Sequence, residues 1–130
     1  MSINLPHDHG NGEREELLAS MWSRESFETV SSLFKQLSDT TRLRIFWVLC
    51  HSEECVINLA AIMNMSSPAV SHHLRLLKEA GLVVTRREEK EVYYKVADTK
   101  EAALLHSMIE QLEHIACPDE KKSNQFAKSS

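Results

Sequence analysis

Glycine is scarce in this chain, three residues among 130, and none sits in a loop spaced to cradle a nucleotide phosphate. Cysteine is equally sparse: three thiols are too few, and odd in number, for a disulfide framework. No uninterrupted apolar run approaches the ~18–20 residues that span a bilayer. The segment Met1–Gly12 lacks both the basic patch and the apolar stretch of a secretory signal. A cytoplasmic location is therefore expected, with thiols reduced or metal-bound. No Ser/His/Asp or Cys/His pairing is indicated, and a short helical domain offers no deep cleft, so an enzyme is not expected. Basic residues are also in deficit, 15 against 19 acidic, for a net charge of −4. That balance argues against a nucleic-acid partner, whose binders usually look basic.

Resolving the charge along the chain changes this. Residues 66–95 carry six basic and four acidic side chains, while every flanking segment is net acidic. Local field, not total charge, steers a polyanion. Residues 1–12 and 118–130 read as tails, leaving 13–117 as one folded domain.

Between the tails the pattern is mainly helical. Leu17, Leu18, Met21 and Trp22 begin an apolar stripe, continued by Phe27, Val30, Phe34 and Leu37 at helical spacing. Asp39 or Thr40 can cap a helix from Thr41 to about His51, apolar nearly all round and so central to the core. A short helix from about Val56 to Asn64 is expected to turn Leu59, Ile62 and Met63 inward. Ser66-Ser67-Pro68 is a helix start, with Val70, Leu74 and Leu77 inward and Gly81 as the stop. Residues 82–87 and 92–96 are β-rich, and Glu88-Glu89-Lys90-Glu91 between them reads as a four-residue hairpin turn. Asp98 or Thr99 caps a last helix reaching Cys117, with Ala102, Leu105, Met108 or Ile109, Leu112 and Ile115 as its stripe.

Helix, short helix, serine-capped helix and hairpin, in that order, predict a mainly α fold with a small two-stranded hairpin: a winged helix-turn-helix. A recognition helix needs one apolar face for the domain and one small or polar face for base edges. Ser66, Ser67, Ser71, Arg75 and Lys78, flanked by His72 and His73, supply the second face. Arg86, Arg87 and Lys90 stand where a wing could reach the backbone, together with Lys95. A helix and hairpin with an ordinary solvated charged face is the plain alternative.

These runs resemble the ArsR/SmtB family of bacterial metalloregulatory repressors. The resemblance rests on Leu37-Ser38-Asp39-Thr40-Thr41-Arg42-Leu43-Arg44-Ile45, Glu54-Cys55-Val56, Leu59-Ala60, Ser66 to Leu74, Leu76-Leu77-Lys78, Gly81-Leu82-Val83, Arg86-Arg87 and Val92-Tyr93-Tyr94. It implies a homodimer joined through the first and last helices, two wings on a palindromic double-stranded operator, and Ser67, Ser71, His72 and His73 as groove-reading residues. The family usually has glycine in the hairpin turn. Here three acidic residues stand at the tip, where they repel phosphate.

The resemblance further implies release from DNA by an inducer, often a metal such as zinc or cadmium. Three ligand groups are candidates. Cys55 stands where thiol-rich relatives carry Cys-Val-Cys-Asp, but the second thiol is replaced by Ile57, so partners such as His7 or His9 of another subunit would be needed. The zinc-type positions on the last helix hold Asp98, Lys100, Gln111 and His114, a degenerate set. His114 and Cys117, three residues apart, share a helix face, with His106 on about the same side. Each has an ordinary alternative: Cys50 and Cys55 as small buried hydrophobes, His7-Asp8-His9 as a solvated tail, Asp98 as a cap.

Two rival functions stay open. One keeps the repressor but makes Cys55 and Cys117 sensors of oxidants or sulfur species. The other is an interaction or metal-buffering module that does not read DNA.

Overall fold

The computed structural model describes residues 5–7 and 13–119. The chain divides into two compact units, residues 1–35 and 36–130. The segments expected as tails, His9 included, lie outside the described residues except for 5–7, Pro118 and Asp119. No helix among the described residues is long and apolar enough to cross a membrane.

The first unit holds α1 (Glu13–Ser20) and α2 (Arg24–Gln36, which ends just past the unit). The apolar stripe is broken at Met21–Ser23 because a new helix starts there. Ser23 Oγ accepts from the Ser26 backbone N–H at 3.2 Å, an N-cap. Trp22, just before the cap, stacks on Phe27 with centroids 5.1 Å apart, the hydrophobic staple that fixes the entry angle. Phe27, Val30 and Phe34 stay exposed along α2, which buries no residue.

The second unit follows the expected order: α3 (Thr40–His51), β1 (Glu54–Cys55), α4 (Val56–Met63), α5 (Ser67–Glu79), β2 (Val83–Glu88), β3 (Glu91–Val96) and α6 (Lys100–Ala116). Asp39 caps α3 by accepting from Arg42 N at 2.9 Å. Ile45, Phe46 and Leu49 of α3 are buried, as its apolarity requires. α4 buries Leu59, Ala60 and Met63. Ile62, expected inward, is 50 % exposed, because the inner face of α4 runs through Leu59, Ala60 and Met63.

α5 is built as its sequence dictates. Ser66 accepts from Ala69 N at 3.3 Å, and Pro68 lies in the first turn where no N–H is missed. Val70, Leu74 and Leu77 are fully buried. At the far end Gly81 adopts φ +75°, Gly81 N–H donates to Lys78 O and Leu82 N–H to Leu77 O. That is a Schellman stop, and Leu77 and Leu82 are both buried.

The wing is a three-stranded sheet in the order β1-β3-β2. β1 was not legible in the sequence: two residues pair with β3, Glu54 with Tyr94 and Cys55 with Tyr93. The hairpin turn is tighter than expected. Glu88 pairs with Glu91, so the turn is Glu89-Lys90 alone, with Glu89 at φ +54°. In α6 Thr99, not Asp98, is the cap, accepting from Ala102 N. Only Ala102 and Leu105 of its stripe are buried, while Leu112 and Ile115 are 56 % and 74 % exposed. Like Leu104, Leu112 and Ile115 sit on a side of α6 that this unit leaves open.

Candidate nucleic-acid interface and candidate metal centre

The residues expected from the sequence to read base edges lie on the solvent side of α5. Ser66, Ser71, His72, Arg75 and Lys78 are exposed, and Ser67 is half-exposed at the helix start. With apolar residues on one side and these on the other, α5 can enter a groove without giving up its own packing. Its N-terminal turn also presents backbone N–H groups that favour phosphate. Arg75 donates from Nη2 to His72 Nδ1 at 3.1 Å and lies 3.8 Å from Glu79. A guanidinium only donates, so His72 Nδ1 is the acceptor and the ring hydrogen of the neutral imidazole is on Nε2.

His73 is placed differently from its neighbours. It is half-buried, and its Nδ1 accepts from Arg42 Nη1 at 3.2 Å. Arg42 also donates to Gln36 O at 2.6 Å. Burial lowers the His73 pKa, Asp39 opposes, and Arg42 and His72 add to the lowering. The Asp39 carboxyl is held low chiefly by the Arg42 backbone N–H. His73 thus ties α5 to the start of α3.

In the wing, Arg86 is engaged within the protein. It pairs with Glu53 at 2.6 Å and Glu88 at 2.7 Å, and its guanidinium lies 4.5 Å from the Tyr93 ring centroid. The hydrogen bonds to Glu53 and then Glu88 push its pKa up. Arg87 and Lys90 are exposed on the same hairpin. Arg86 therefore fastens the wing to the β1 end of the domain, and Arg87, Lys90 and Lys95 are wing cations turned to solvent.

Within one chain, the group of three metal-competent side chains found among the described residues includes none of Cys55, His114, Cys117 and His7. Cys55 is half-buried in β1, locked opposite Tyr93. His114 and Cys117 are exposed at the last turn of α6. His7 is exposed in the first unit, where its carbonyl accepts from Arg14. Cys50 is half-buried beside the α6 side of α3. Burial, with the Glu110 charge second, pushes its thiol up to about 12.

A different cluster does converge. Among the described residues, the His, Cys, Asp and Glu side chains that meet in a group of three are His51, His106 and Glu110. His51 Nε2 and His106 Nε2 are 3.3 Å apart, and each lies 3.2 and 3.1 Å respectively from Glu110 Oε1. Trp47 Nε1 donates to the same oxygen at 3.0 Å. Burial raises the Glu110 pKa, but the hydrogen bonds from His51, Trp47 and His106 outweigh it and hold the carboxyl low. The spacing of His106 and Glu110, four apart on one helix, was visible in the sequence; the partner on α3 was not.

The profile described as bacterial regulatory protein, arsR family, matches residues 39–85. The transcriptional repressor SmtB homolog of Synechocystis sp. is 37 % identical over 91 residues, which cover 70 % of this chain and 69 % of that protein. The cadmium resistance transcriptional regulatory protein CadC homolog of Staphylococcus aureus is 45 % identical over 83 residues, 59 % of this chain and 69 % of that protein. Among solved structures, a homodimeric winged helix-turn-helix DNA-binding domain from Mycobacterium bovis, a possible ArsR-family regulator, superposes with a TM-score of 0.62 at 29 % identity, over 73 % of this chain and 91 % of that one.

Proposed function

The chain belongs to the arsR family of bacterial regulatory proteins, and from that premise we propose that it is a homodimeric, operator-binding transcriptional repressor. It works in the cytoplasm and releases its DNA when an inducer binds, a transition or thiophilic metal ion such as zinc or cadmium. The observation that carries this reading is the capped α5 with an apolar inner face and an exposed row of Ser71, His72, Arg75 and Lys78. Ser66 and Ser67 let the helix start approach the groove, and Arg87 and Lys90 reach backbone from the wing. His73 and Arg86 act by positioning the reading helix and the wing. The exposed apolar residues of α2 and those of α6 are surfaces a second copy would cover.

Binding of the purified protein to the DNA upstream of its own coding sequence tests this. The expected result is a salt-sensitive shift that Ser71→Ala with His72→Ala abolishes and that added Zn(II) or Cd(II) weakens. No shift with any upstream fragment overturns the repressor reading. A shift that no metal weakens overturns the choice of inducer.

A further inference from the structure

The His51–His106–Glu110 triangle cannot be satisfied by hydrogen bonds alone. Each Nε2 carries at most one hydrogen when neutral and an ionised carboxylate brings none, so three edges share at most two hydrogens. If both imidazoles donate to Glu110, as their distances to Oε1 invite, two N–H groups face each other across 3.3 Å. A cation in place of those hydrogens removes the conflict. The dimensions agree: four ligands at ~2.0–2.1 Å around a tetrahedral ion stand about 3.3–3.4 Å apart. The observed edges are 3.1, 3.2 and 3.3 Å. Trp47 Nε1–H on Glu110 Oε1 supplies the outer hydrogen bond that orients a ligating carboxylate.

We propose that His51 Nε2, His106 Nε2 and Glu110 Oε1 are three ligands to one divalent transition metal ion of zinc-like borderline softness, with solvent in the remaining position. Two nitrogens and one oxygen, with no sulfur, suit Zn(II), Co(II) or Ni(II) over soft ions. The ligand side chains are 45, 30 and 47 % exposed, so an ion can enter and leave. All three lie on one chain. At 3.6 residues per turn, His106 and Glu110 face about the opposite side of α6 from Leu104, Met108, Leu112 and Ile115, so a second copy on that apolar side leaves the site open.

The regulatory consequence rests on the metal-responsive repressor reading above; binding itself does not. An ion here joins α6 to the last turn of α3. The first turn of the same helix holds α5 through Arg42 and His73. Both inputs therefore meet on one rigid rod.

Titration of the metal-free full-length protein with Co(II), followed by competition with Zn(II), tests the site without DNA. The expected result is one Co(II) per chain, visible ligand-field bands of a low-symmetry four-coordinate ion, and no thiolate charge-transfer absorption. His106→Ala and Glu110→Gln should each weaken binding at least about 100-fold, while Cys55→Ser with Cys117→Ser leaves it unchanged. Glu110→Gln keeps the size and the Trp47 contact, which guards against a variant that merely unfolds. A thiolate band, unchanged affinity in both ligand variants, or failure of Co(II), Zn(II) and Ni(II) all to bind overturns the site. If metal binds as expected but leaves the DNA shift untouched, the site stands and the inducer reading falls. If metal releases DNA equally well in both ligand variants, the inducer reading stands and the regulatory role of this site falls.

Discussion

Arg42 Nη1 donates to His73 Nδ1 across 3.2 Å, joining the first turn of α3 to the middle of α5. Arg42→Ala removes this bond and the one to Gln36 O, at a cost of about 1–3 kcal/mol. Urea unfolding should show the drop in stability, and DNA affinity should fall with no change in salt slope, because Arg42 touches no phosphate on this reading.

His73 makes that bond as a neutral acceptor, and its native pKa lies below the ordinary 6.5, chiefly through burial. The folded state therefore disfavours the proton. Its contribution to stability is complete above pH 6.5 and is lost as the pH falls from there through the native value. Urea midpoints measured at pH 8 and pH 5.5 should differ more in the wild type than in His73→Gln.

Arg86 and Arg87 are neighbours with opposite roles. Arg86→Ala should lower stability only modestly, since its pairs with Glu53 and Glu88 are partly exposed. Arg87→Ala should leave stability within about 0.5 kcal/mol. It should reduce the salt slope of DNA binding by about one for each phosphate that Arg87 neutralises. Equal salt slopes in the two variants would count against this division.

Two positive-φ positions should respond in opposite directions. Gly81→Ala forces a side chain to φ +75°, costing about 1–2 kcal/mol even though its Cβ would meet nothing within 4 Å. Glu89→Gly relieves a residue already at φ +54° and removes one charge from an acidic turn, so it should stabilise by about 0.5–1 kcal/mol. Thermal or urea unfolding of the two single variants reads both signs.

The thiols should separate by reactivity. Cys117 is exposed, whereas Cys50 is half-buried with a pKa pushed up to about 12. At pH 8 only about one Cys50 in ten thousand is thiolate. Iodoacetamide followed by peptide mapping should label Cys117 first and Cys50 only in denaturant.

Features governed by local chemistry were legible in the sequence. Ser66 before Pro68 dictates a helix start, and Gly81 a stop, whatever surrounds them. The inward Val70, Leu74 and Leu77 follow from spacing alone. What failed depended on distant partners. Ile62, Leu112 and Ile115 are apolar at helical spacing, yet whether such a position is covered depends on what packs there. The pairing of Arg86 was not legible because Glu53, its carboxylate partner, lies 33 positions away. His51 lies 59 positions before Glu110, so the cluster is a product of the α3–α6 arrangement and of no motif.

On the proposed function, the tautomer of His72 has a bearing on which bases α5 would favour. With Nδ1 occupied by Arg75, the imidazole offers the groove a hydrogen and no lone pair. Arg75 and Lys78 likewise only give hydrogens. Apart from the serine hydroxyls, this helix would therefore speak to acceptors: guanine N7 and O6, with adenine N7 and thymine O4 as single acceptors. The exocyclic amino groups of cytosine and adenine find no lone pair on these three side chains. An operator half-site matched to this helix is thus expected to place guanine opposite its centre, and selection from randomised duplexes would display that preference directly.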